Sequence, residues 1–381
     1  MNVQNLKSTV RRPSWRHWAS VVALLVGTAQ ARAEDIIVGQ VAPFSGPQAV
    51  TGQAIRAGAQ LYFDAVNAHG GVHGRTIRLV TRDDVQKPDE TVKLTRALIA
   101  SDAPVAMICT VSTTNLEALA KDGVLAQTST AMVGAISGAA SVMKAPNIFI
   151  VKASYRDEIN RLFKQIASLG QTQVAVIYQD DSFGQDVMAG AEAAAKLNGL
   201  TIVARSSYAR NTIAVDKAVA DIAKVNPQVV FVGATTAAAI EFVRQYGIAK
   251  GPGTLYGMSV IDTDAMLRTL GPNGVRGYGF TVVLPLQQQT QRAVVREYDK
   301  LRDASSDKNL SARSMEGFIA AKTLVKVLEG VPNPTAANVS TALSHAHIDL
   351  GDYPIDFTER GHTGSSFVDF AMFGTNGKVV Q

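Results

Sequence analysis

The chain has 381 residues, with 37 lysines and arginines against 32 aspartates and glutamates, and it contains one cysteine. Five of the bases and none of the acids precede residue 34, so residues 34–381 carry no net charge, which argues against a nucleic-acid-binding surface. Cys109 has no partner for an internal disulfide, and its place at the end of an apolar run predicts a buried thiol.

Residues 1–33 have the pattern of an export signal. A basic segment runs to His17, an apolar run follows over residues 19–28, and Ala31-Arg32-Ala33 fits a small-x-small cleavage site. The apolar run is shorter than the roughly 20 residues of a membrane-spanning helix, so a membrane anchor or a disordered tail is the weaker interpretation. Arg11-Arg12 raises twin-arginine export as an alternative, but the following residues fit ordinary secretory export better. We therefore expect cleavage after Ala33 and a periplasmic protein without a lipid anchor.

From residue 34 onward, short apolar runs alternate with helical patterns. The strand-like runs are residues 36–42, 77–80, 105–109, 124–126, 174–178 and 229–232. Apolar stripes over residues 55–66 and 159–166 repeat at helical spacing, and Ser154 with Asp157 predicts a capping box. Nearly continuous apolar strands separated by helices predict an α/β fold with doubly wound parallel sheets. Such sheets bind ligands beyond the carboxyl ends of their strands.

The number of elements predicts two sheets. At least eight strand candidates precede residue 285, more than one doubly wound sheet needs. Residues 281–312 then change character, with Pro285, a run of glutamines and a charged helix at residues 292–303, and a long helix is predicted over residues 313–329. The chain beyond Asp349 alternates short strands and glycine turns. We therefore expect two lobes, one around each sheet.

Four segments together resemble the leucine/isoleucine/valine-binding family of periplasmic receptors. They are residues 38–47, 67–75, 82–84 and 174–184. The resemblance implies a type I periplasmic-binding fold whose chain crosses between the lobes near Ala153, Val283 and Ile355. Lobe one would comprise residues 34–153 and 284–355, and lobe two residues 154–283 and 356–381. It also implies a monomer that closes over a small molecule and delivers it to the membrane permease of an ABC importer, with no nucleic-acid partner.

On the lobe-one side, residues 110–114 follow the third predicted strand and open a helix rich in serine and threonine. Free backbone N–H groups and hydroxyls at a helix start favour a carboxylate, although a plain helix cap explains the same residues. The resemblance places Ser112 and Thr113 on the ligand carboxylate. It adds Thr130 and Met132, expected after a fourth strand at residues 124–126, with Met132 packing on the ligand or filling the core.

From lobe two, the resemblance implies that Phe183 covers the ligand, and it places Thr51 and Thr235 where other members carry tyrosine. Ser259 stands where amino-acid binders carry the carboxylate that pairs with the ligand ammonium. A buried ammonium without such a partner is costly, and Asp262 is the alternative partner. The predicted ligand is therefore a small carboxylate, either a branched-chain amino acid or an acid without the ammonium, such as an aromatic acid.

No motif in the sequence indicates an enzyme, a metal or a cofactor. His69 and His73 have metal-like spacing, but they span a Gly-Gly turn and lack a third ligand nearby. The acid pairs at residues 83–84 and 180–181 follow strands and are interpreted as solvated turns, or as holding loops at the cleft edge in the first case. A sensory receptor of the same fold and a periplasmic hydrolase are the alternative functions. The hydrolase lacks a nucleophile–base pair at recognisable spacing.

Overall fold

This computed structural model describes residues 1, 9, 34–359 and 361–381. The predicted export signal and its cleavage site lie outside the described residues. Residues 34–381 form one compact unit. Within it the chain builds two separate β-sheets, which confirms the predicted α/β class with two parallel sheets.

The first sheet has five strands, all parallel, in the order β2-β1-β3-β4-β5. These strands are β1 (Ile36–Ala42), β2 (Ile77–Asp83), β3 (Ala106–Ile108), β4 (Met132–Val133) and β5 (Ile148–Phe149). Because all five run in one direction, the loops after their carboxyl ends meet at one edge of the sheet. These loops contain Ser112 and its neighbours.

The second sheet has seven strands in the order β14-β13-β10-β9-β8-β6-β7, of which β6 to β10 are parallel and the last two along the chain are antiparallel additions at one edge. The remaining strands are β6 (Gln173–Asp180), β7 (Thr201–Ala209), β8 (Val229–Gly233), β9 (Thr254–Gly257), β10 (Gly279–Val282), a hairpin of β11 (His347–Asp349) and β12 (Pro354–Asp356), then β13 (Asp369–Phe373) and β14 (Val379–Val380).

Thirteen α-helices cover the sheets in the described part of the chain. They are α1 (Ala49–Ala68), α2 (Pro88–Asp102), α3 (Thr113–Asp122), α4 (Val124–Gln127), α5 (Ala140–Met143), α6 (Tyr155–Ser168), α7 (Ser182–Asn198), α8 (Asp216–Lys224), α9 (Thr236–Ile248), α10 (Thr263–Val275), α11 (Ala293–Asp303), α12 (Ser314–Glu329) and α13 (Ala336–Ser344). Ser154 caps α6 by accepting from the Asp157 backbone N–H, as predicted, but the Asp157 carboxylate accepts from the Ser154 hydroxyl and not from the Ser154 backbone N–H that a capping box uses. Cys109 is fully buried, as predicted.

Helices α1 and α12 pack unusually close to each other on the first sheet. A Cβ atom built on Gly58 would lie 1.8 Å from the Ser314 carbonyl oxygen, and one on Gly317 would lie 1.9 Å from the Ile55 carbonyl oxygen. Only glycine fits at such backbone approaches. The two glycines thus bring the amino-terminal end of α12 against α1, next to the first-sheet loops.

The predicted fourth strand at residues 124–126 is wrong, because Val124–Gln127 forms the short helix α4. Gly123 ends α3 in the left-handed conformation with φ 78°, and the chain then begins a new helical turn. Val124 and Leu125 are buried there, and a short apolar run does not distinguish a buried strand from a buried helical turn. The fourth strand is Met132–Val133, several residues further on.

The segments that follow β5 and β10 meet at the side chain of Tyr353. Its hydroxyl oxygen lies 2.8 Å from the carbonyl oxygen of Val151, after β5, and 3.2 Å from that of Val283, after β10. Tyr353 itself lies in the turn between β11 and β12. The Tyr353 side chain is buried, and burial raises the pKa of its phenol, so the hydroxyl stays protonated and able to donate.

Candidate functional site

A cavity with about 440 Å³ of empty space, part of it open to solvent, lies where loops from both sheets meet. Its lining residues are Gln48, Thr51, Gln86, Val111, Ser112, Thr113, Ile136, Tyr155, Gln179, Phe183, Thr235, Val260 and Arg313. Of these described lining residues, none is acidic and only Arg313 carries a formal charge. Most of them follow the carboxyl ends of parallel strands, the position at which doubly wound sheets bind ligands.

The start of α3 supplies one end of this cavity. Ser112 precedes the helix with φ 96° and ψ 130°, a conformation that a non-glycine residue rarely adopts. Its hydroxyl makes no capping bond, and the first helical bond runs from the Leu116 N–H to the Ser112 carbonyl oxygen. The N–H groups of the first turn therefore have no acceptor within the helix, and the helix dipole favours negative charge there. Strain held at such a position is typical of a functional site.

Thr113 and Ile136 shape the wall beside Ser112. The Thr113 hydroxyl lies 2.8 Å from the Ser137 hydroxyl, so its orientation is fixed by a buried neighbour. The Ser112 N–H donates to the Ile136 carbonyl oxygen at 3.4 Å, which joins the loop after β3 to the loop after β4. Thr113 lines the cavity through its position, with much of its hydrogen-bonding capacity already used.

Thr130 and Met132 do not line the cavity, which for Met132 is the core-filling alternative that the sequence left open. Thr130 precedes β4 and lies beside the Thr128 hydroxyl at 2.8 Å. Met132 lies inside β4 and is fully buried in the core. The misplaced fourth strand explains the expectation of a cavity role, because it made residues 129–132 resemble a loop after the carboxyl end of that strand. The loop that does follow β4 contains Ile136.

The second-sheet wall combines aromatic rings with neutral polar groups. Phe183 and Tyr155 meet edge to face with ring centroids 5.4 Å apart. The Tyr208 hydroxyl donates to Gln179 Oε1 at 3.1 Å and accepts from the Thr235 N–H at 3.0 Å. These contacts hold Gln179 and Thr235 at the cavity, together with Thr51 from α1 on the opposite wall. The wall offers apolar packing and amide or hydroxyl hydrogen bonds.

Arg313 forms the charged end of the cavity, at the residue before α12. Its Nη1 lies 2.8 Å from the Ser259 carbonyl oxygen and 2.8 Å from Glu316 Oε2. Glu316 also forms an ion pair with Lys152, and all three side chains are buried. Burial alone would raise the pKa of Glu316, but the two nearby cations outweigh it and lower that pKa. Glu316 therefore stays ionised between Arg313 and Lys152.

Ser259 and Asp262 both form hydrogen bonds with other protein groups, and neither lines the cavity that contains Ser112. Glu158 accepts from the Ser259 N–H at 2.5 Å, from its hydroxyl at 3.0 Å and from the Thr281 hydroxyl. Asp262 caps α10 by accepting from the Ala265 N–H at 2.9 Å, and it also accepts from the Ser311 hydroxyl at 2.6 Å. The expectation that Asp262 replaces the missing carboxylate is therefore not supported by its position.

Polar contacts join the two sides at the rim of the cavity. Arg210, after β7, donates to the Gln86 carbonyl oxygen and to Asn115 Oδ1, both at 2.8 Å. It also pairs with Asp181 at 3.2 Å, and Asp181 accepts from the Thr114 hydroxyl at 3.3 Å. The cavity is thus closed at this rim by hydrogen bonds between residues that follow strands of different sheets.

One acid of each pair, Asp84 and Asp181, is buried, so the solvated-turn interpretation is wrong for these two residues, whereas Asp83 and Asp180 are exposed. Asp84 is fully buried and accepts from the Thr91 hydroxyl at 2.7 Å and from Asn115 Nδ2 at 3.2 Å. Asp181 caps α7 by accepting from the Gly184 N–H at 3.1 Å. Both carboxylates hold loops at the edge of the cavity, the alternative that the sequence allowed for residues 83–84.

A second, larger cavity, with about 720 Å³ of empty space, shares Arg313 with the cavity that contains Ser112. Segments from β10, the following loop and the start of α12 line it, and Ser259 and Glu316 belong to this lining. In the described part of the chain, no cluster of three or more metal-ligating side chains is present. The described helices likewise include none that is long and apolar enough to cross a bilayer.

A sequence profile of periplasmic binding proteins matches residues 35–378. The chain belongs to the periplasmic binding protein family. A substrate-binding periplasmic protein from Ralstonia solanacearum has a solved structure that is 41% identical, with a TM-score of 0.88, over 91% of this chain and 100% of that one. The Leu/Ile/Val-binding protein homolog 7 of Brucella suis biovar 1 (strain 1330) is 27% identical over 87% of this chain and 86% of that protein.

One further solved structure shares the fold at lower identity. It is a solute-binding protein of an ABC transporter from R. palustris in complex with benzoate, 21% identical with a TM-score of 0.80, and the match covers 91% of this chain and 95% of that one. The resemblance to leucine/isoleucine/valine-binding proteins is thus confirmed. Periplasmic binding proteins are solute-binding proteins and not enzymes.

For this periplasmic binding protein, five of the eight site residues predicted from sequence line one cavity. These are Thr51, Ser112, Thr113, Phe183 and Thr235. Gln86, Tyr155, Gln179 and Arg313 are among the lining residues that the sequence did not indicate. One signal for Arg313 was present, because a basic residue at a helix start opposes the helix dipole and suggests a specific partner.

Proposed function

We propose that this protein captures a small carboxylate in the cavity and presents the closed complex to the permease of an ABC importer. The observation that carries the proposal is the polarity of the cavity. Unbonded N–H groups and the free Ser112 hydroxyl meet at one end, and no acid occurs among the described lining residues. A carboxylate gains hydrogen bonds there, whereas a buried ammonium finds no carboxylate to pair with.

The ligand in this proposal is an acid without an ammonium group. Phe183, Val111, Ile136 and Val260 offer an apolar surface that suits a branched or aromatic body. The fold-sharing protein from R. palustris holds benzoate, which is an ammonium-free acid. This favours the acid over the branched-chain amino acid, the other ligand considered from sequence.

The proposal includes two lobes that close like a hinge. Lobe one would be residues 34–153 with 284–355, and lobe two residues 154–283 with 356–381. Ligand contacts to both lobes favour the closed state, and only that state offers the permease its full docking surface. We place the protein in the periplasm as a monomer after removal of residues 1–33. The permease and the small molecule are its partners, and nucleic acid is not.

Calorimetry with the purified protein tests the ligand class. The probes are leucine, its deaminated acid 4-methylpentanoate, the corresponding amide 4-methylpentanamide, and benzoate. We expect at least one acid to bind, with leucine binding roughly a hundredfold more weakly than 4-methylpentanoate because its ammonium is buried unpaired. The amide should also bind more weakly because it lacks the charge that the helix start favours.

Ser112→Ala provides the site control, and Ser168→Ala, on the exposed end of α6, is the matched variant elsewhere. An acid affinity that falls roughly tenfold in the first variant and stays unchanged in the second would support the site. Leucine binding as tightly as the deaminated acid would refute the ammonium-free ligand class.

A further inference from the structure

We propose that Arg313 is a second anion-binding group in this cavity, so that the ligand is a dicarboxylate held at both ends. The inference rests on the proposed function, since it assumes that the first carboxylate lies at Ser112. It adds a specificity-determining residue and a narrower ligand class to that function.

The position of Arg313 is the first argument. Its side chain lines the same cavity as Ser112 and Thr113, yet it belongs to a segment about two hundred residues further along the chain. Only 6% of Arg313 is exposed, so its guanidinium is largely removed from water. A desolvated cation at a cavity wall interacts with an anion more strongly than the same cation on the surface.

The unused donors of Arg313 are the second argument. A guanidinium has five N–H donors, and the contacts with Ser259 and Glu316 both use Nη1. Its Nε is buried and has no hydrogen-bond partner among the described residues. A buried donor without an acceptor is costly, and a carboxylate can accept two parallel bonds from one edge of a guanidinium. A ligand carboxylate would therefore satisfy a donor that the protein leaves unbonded.

The charge around Arg313 is the third argument. Arg313 and Lys152 share one carboxylate, that of Glu316. The other buried acid nearby, Glu158, is bound by Ser259 and Thr281, and burial raises its pKa, which favours the neutral form. Burial also lowers the pKa of Lys152, so Arg313 is the cation here that keeps its full charge, and it shares its carboxylate partner Glu316 with Lys152.

The acids on the far side of Arg313 do not remove that positive charge. Asp262 accepts from the Ser311 hydroxyl, and Asp264 accepts from the Ala312 N–H at 2.8 Å. Burial and the neighbouring Asp262 raise the pKa of Asp264, which lowers its tendency to carry charge. Neither acid lines the cavity that contains Ser112.

Ser259 supplies the fourth argument. Sequence resemblance places this residue where amino-acid binders present a carboxylate to the ligand ammonium. Here its carbonyl oxygen accepts from Arg313 and its hydroxyl donates to Glu158. Arg313 therefore brings a cation to the region where an ammonium ligand would need an anion, which reverses the preferred charge of the ligand at this end.

Calorimetry with matched pairs of probes tests the proposal. Each of succinate, glutarate, adipate and terephthalate is compared with its own monomethyl ester, which keeps the size and one carboxylate. The wild-type protein should bind at least one diacid about ten- to a hundredfold more tightly than its ester, the range expected for a charged hydrogen-bonded pair. Arg313→Gln should abolish this preference while binding the ester within about threefold of wild type.

Two further variants separate ligand recognition from a purely structural role. Arg313→Lys keeps the charge but loses the planar pair of donors, so it should retain only part of the preference. Arg205→Gln removes an exposed arginine on β7 that pairs with Glu192, and it should behave as wild type. If Arg313→Gln does not fold, as judged by its melting transition, the proposal is tested by the wild-type ratio of diacid to ester affinity and by the same ratio in Arg313→Lys.

The outcomes distinguish this inference from the proposed function. Esters that bind as tightly as every diacid in the wild-type protein would overturn the role of Arg313 and leave the carboxylate-binding function intact. An equal loss of diacid and ester affinity in Arg313→Gln would show that Arg313 stabilises the cavity wall without binding a second carboxylate. Failure of all diacids, esters and simple monocarboxylates to bind would overturn both proposals.

Discussion

The two ends of the cavity are built in different ways. The Ser112 end comes from one short stretch of chain, in which β3 stops and α3 starts, and its chemistry resides in backbone N–H groups. The Arg313 end brings Arg313 and Glu316, at the start of α12, together with the distant Lys152 and Ser259, and its chemistry resides in buried side-chain charges. Backbone strain is located at the Ser112 end, and the free-energy cost of burying charged groups is located at the Arg313 end. Mutations should therefore affect stability in opposite directions at the two ends.

The largest effect is expected for Glu316→Gln, which removes the carboxylate shared by two buried cations. Leaving buried charges unpaired costs about 3–5 kcal/mol of unfolding free energy. Urea denaturation measures this loss. Glu329→Gln, on the same helix, breaks an exposed pair with Lys326 and should change stability by less than about 1 kcal/mol.

A second variant sharpens the test at the Arg313 end. Combining Glu316→Gln with Lys152→Met removes one of the two unpaired cations and should recover part of the lost stability. If Glu316→Gln were no worse than Glu329→Gln, the buried network would contribute nothing and the contrast between the two ends would disappear.

The same contrast explains which residues could be predicted from sequence. The strand at residues 36–42 and the helix start at Ser112 each depend on a local sequence pattern. Both could therefore be located from the sequence. Phe183 also follows directly from a strand and its helix cap. Thr130 was expected at the cavity because a four-residue apolar helix resembles a strand, which moved the predicted loop by several residues.

Arg313 could not be assigned a role from sequence for a different reason. Its partners are Ser259, Glu316 and, through Glu316, Lys152, and only one of them is a neighbour in the chain. Their meeting depends on how α12 packs against α1 and on the paths of the segments that follow β5 and β9. Glycines at the α1–α12 contact were visible in the sequence, but their partners across the contact were not.

A smaller effect of opposite sign on stability is expected for Ser112→Gly. Glycine adopts a positive φ without strain, so this variant should gain about 1 kcal/mol of unfolding free energy. It also loses the Ser112 hydroxyl, and acid affinity should fall roughly tenfold. Urea denaturation and calorimetry on the same preparation measure the two changes.

Ser129, which has φ 51° but lies outside the cavity lining, provides the matched control. Ser129→Gly should relieve strain without a loss of affinity. Weaker stability in Ser112→Gly, or an equal loss of affinity in both variants, would contradict the idea that strain at Ser112 serves binding.

The smallest effect is expected at the rim, where Arg210 helps both ends by holding the cavity closed. Arg210→Gln removes donors to the Gln86 carbonyl oxygen and Asn115 Oδ1. Asp181 keeps the Thr114 hydroxyl and Gln179 Nε2 as donors, so the remaining carboxylate is not left unbonded. We expect ligand dissociation to become about three- to tenfold faster, with little change in the association rate, because bonds formed after closure act mainly on dissociation.

Stopped-flow measurement of ligand release tests the rim. Arg205→Gln is the control, since Arg205 makes only an exposed pair with Glu192 beside the second sheet and should leave both rates unchanged. A slower association with unchanged release in Arg210→Gln would mean that Arg210 attracts the ligand instead of holding the cavity closed. In that case the positive charge relevant to binding would extend beyond Arg313 to the rim, and the division of the cavity into a backbone end and a charged end would have to be redrawn.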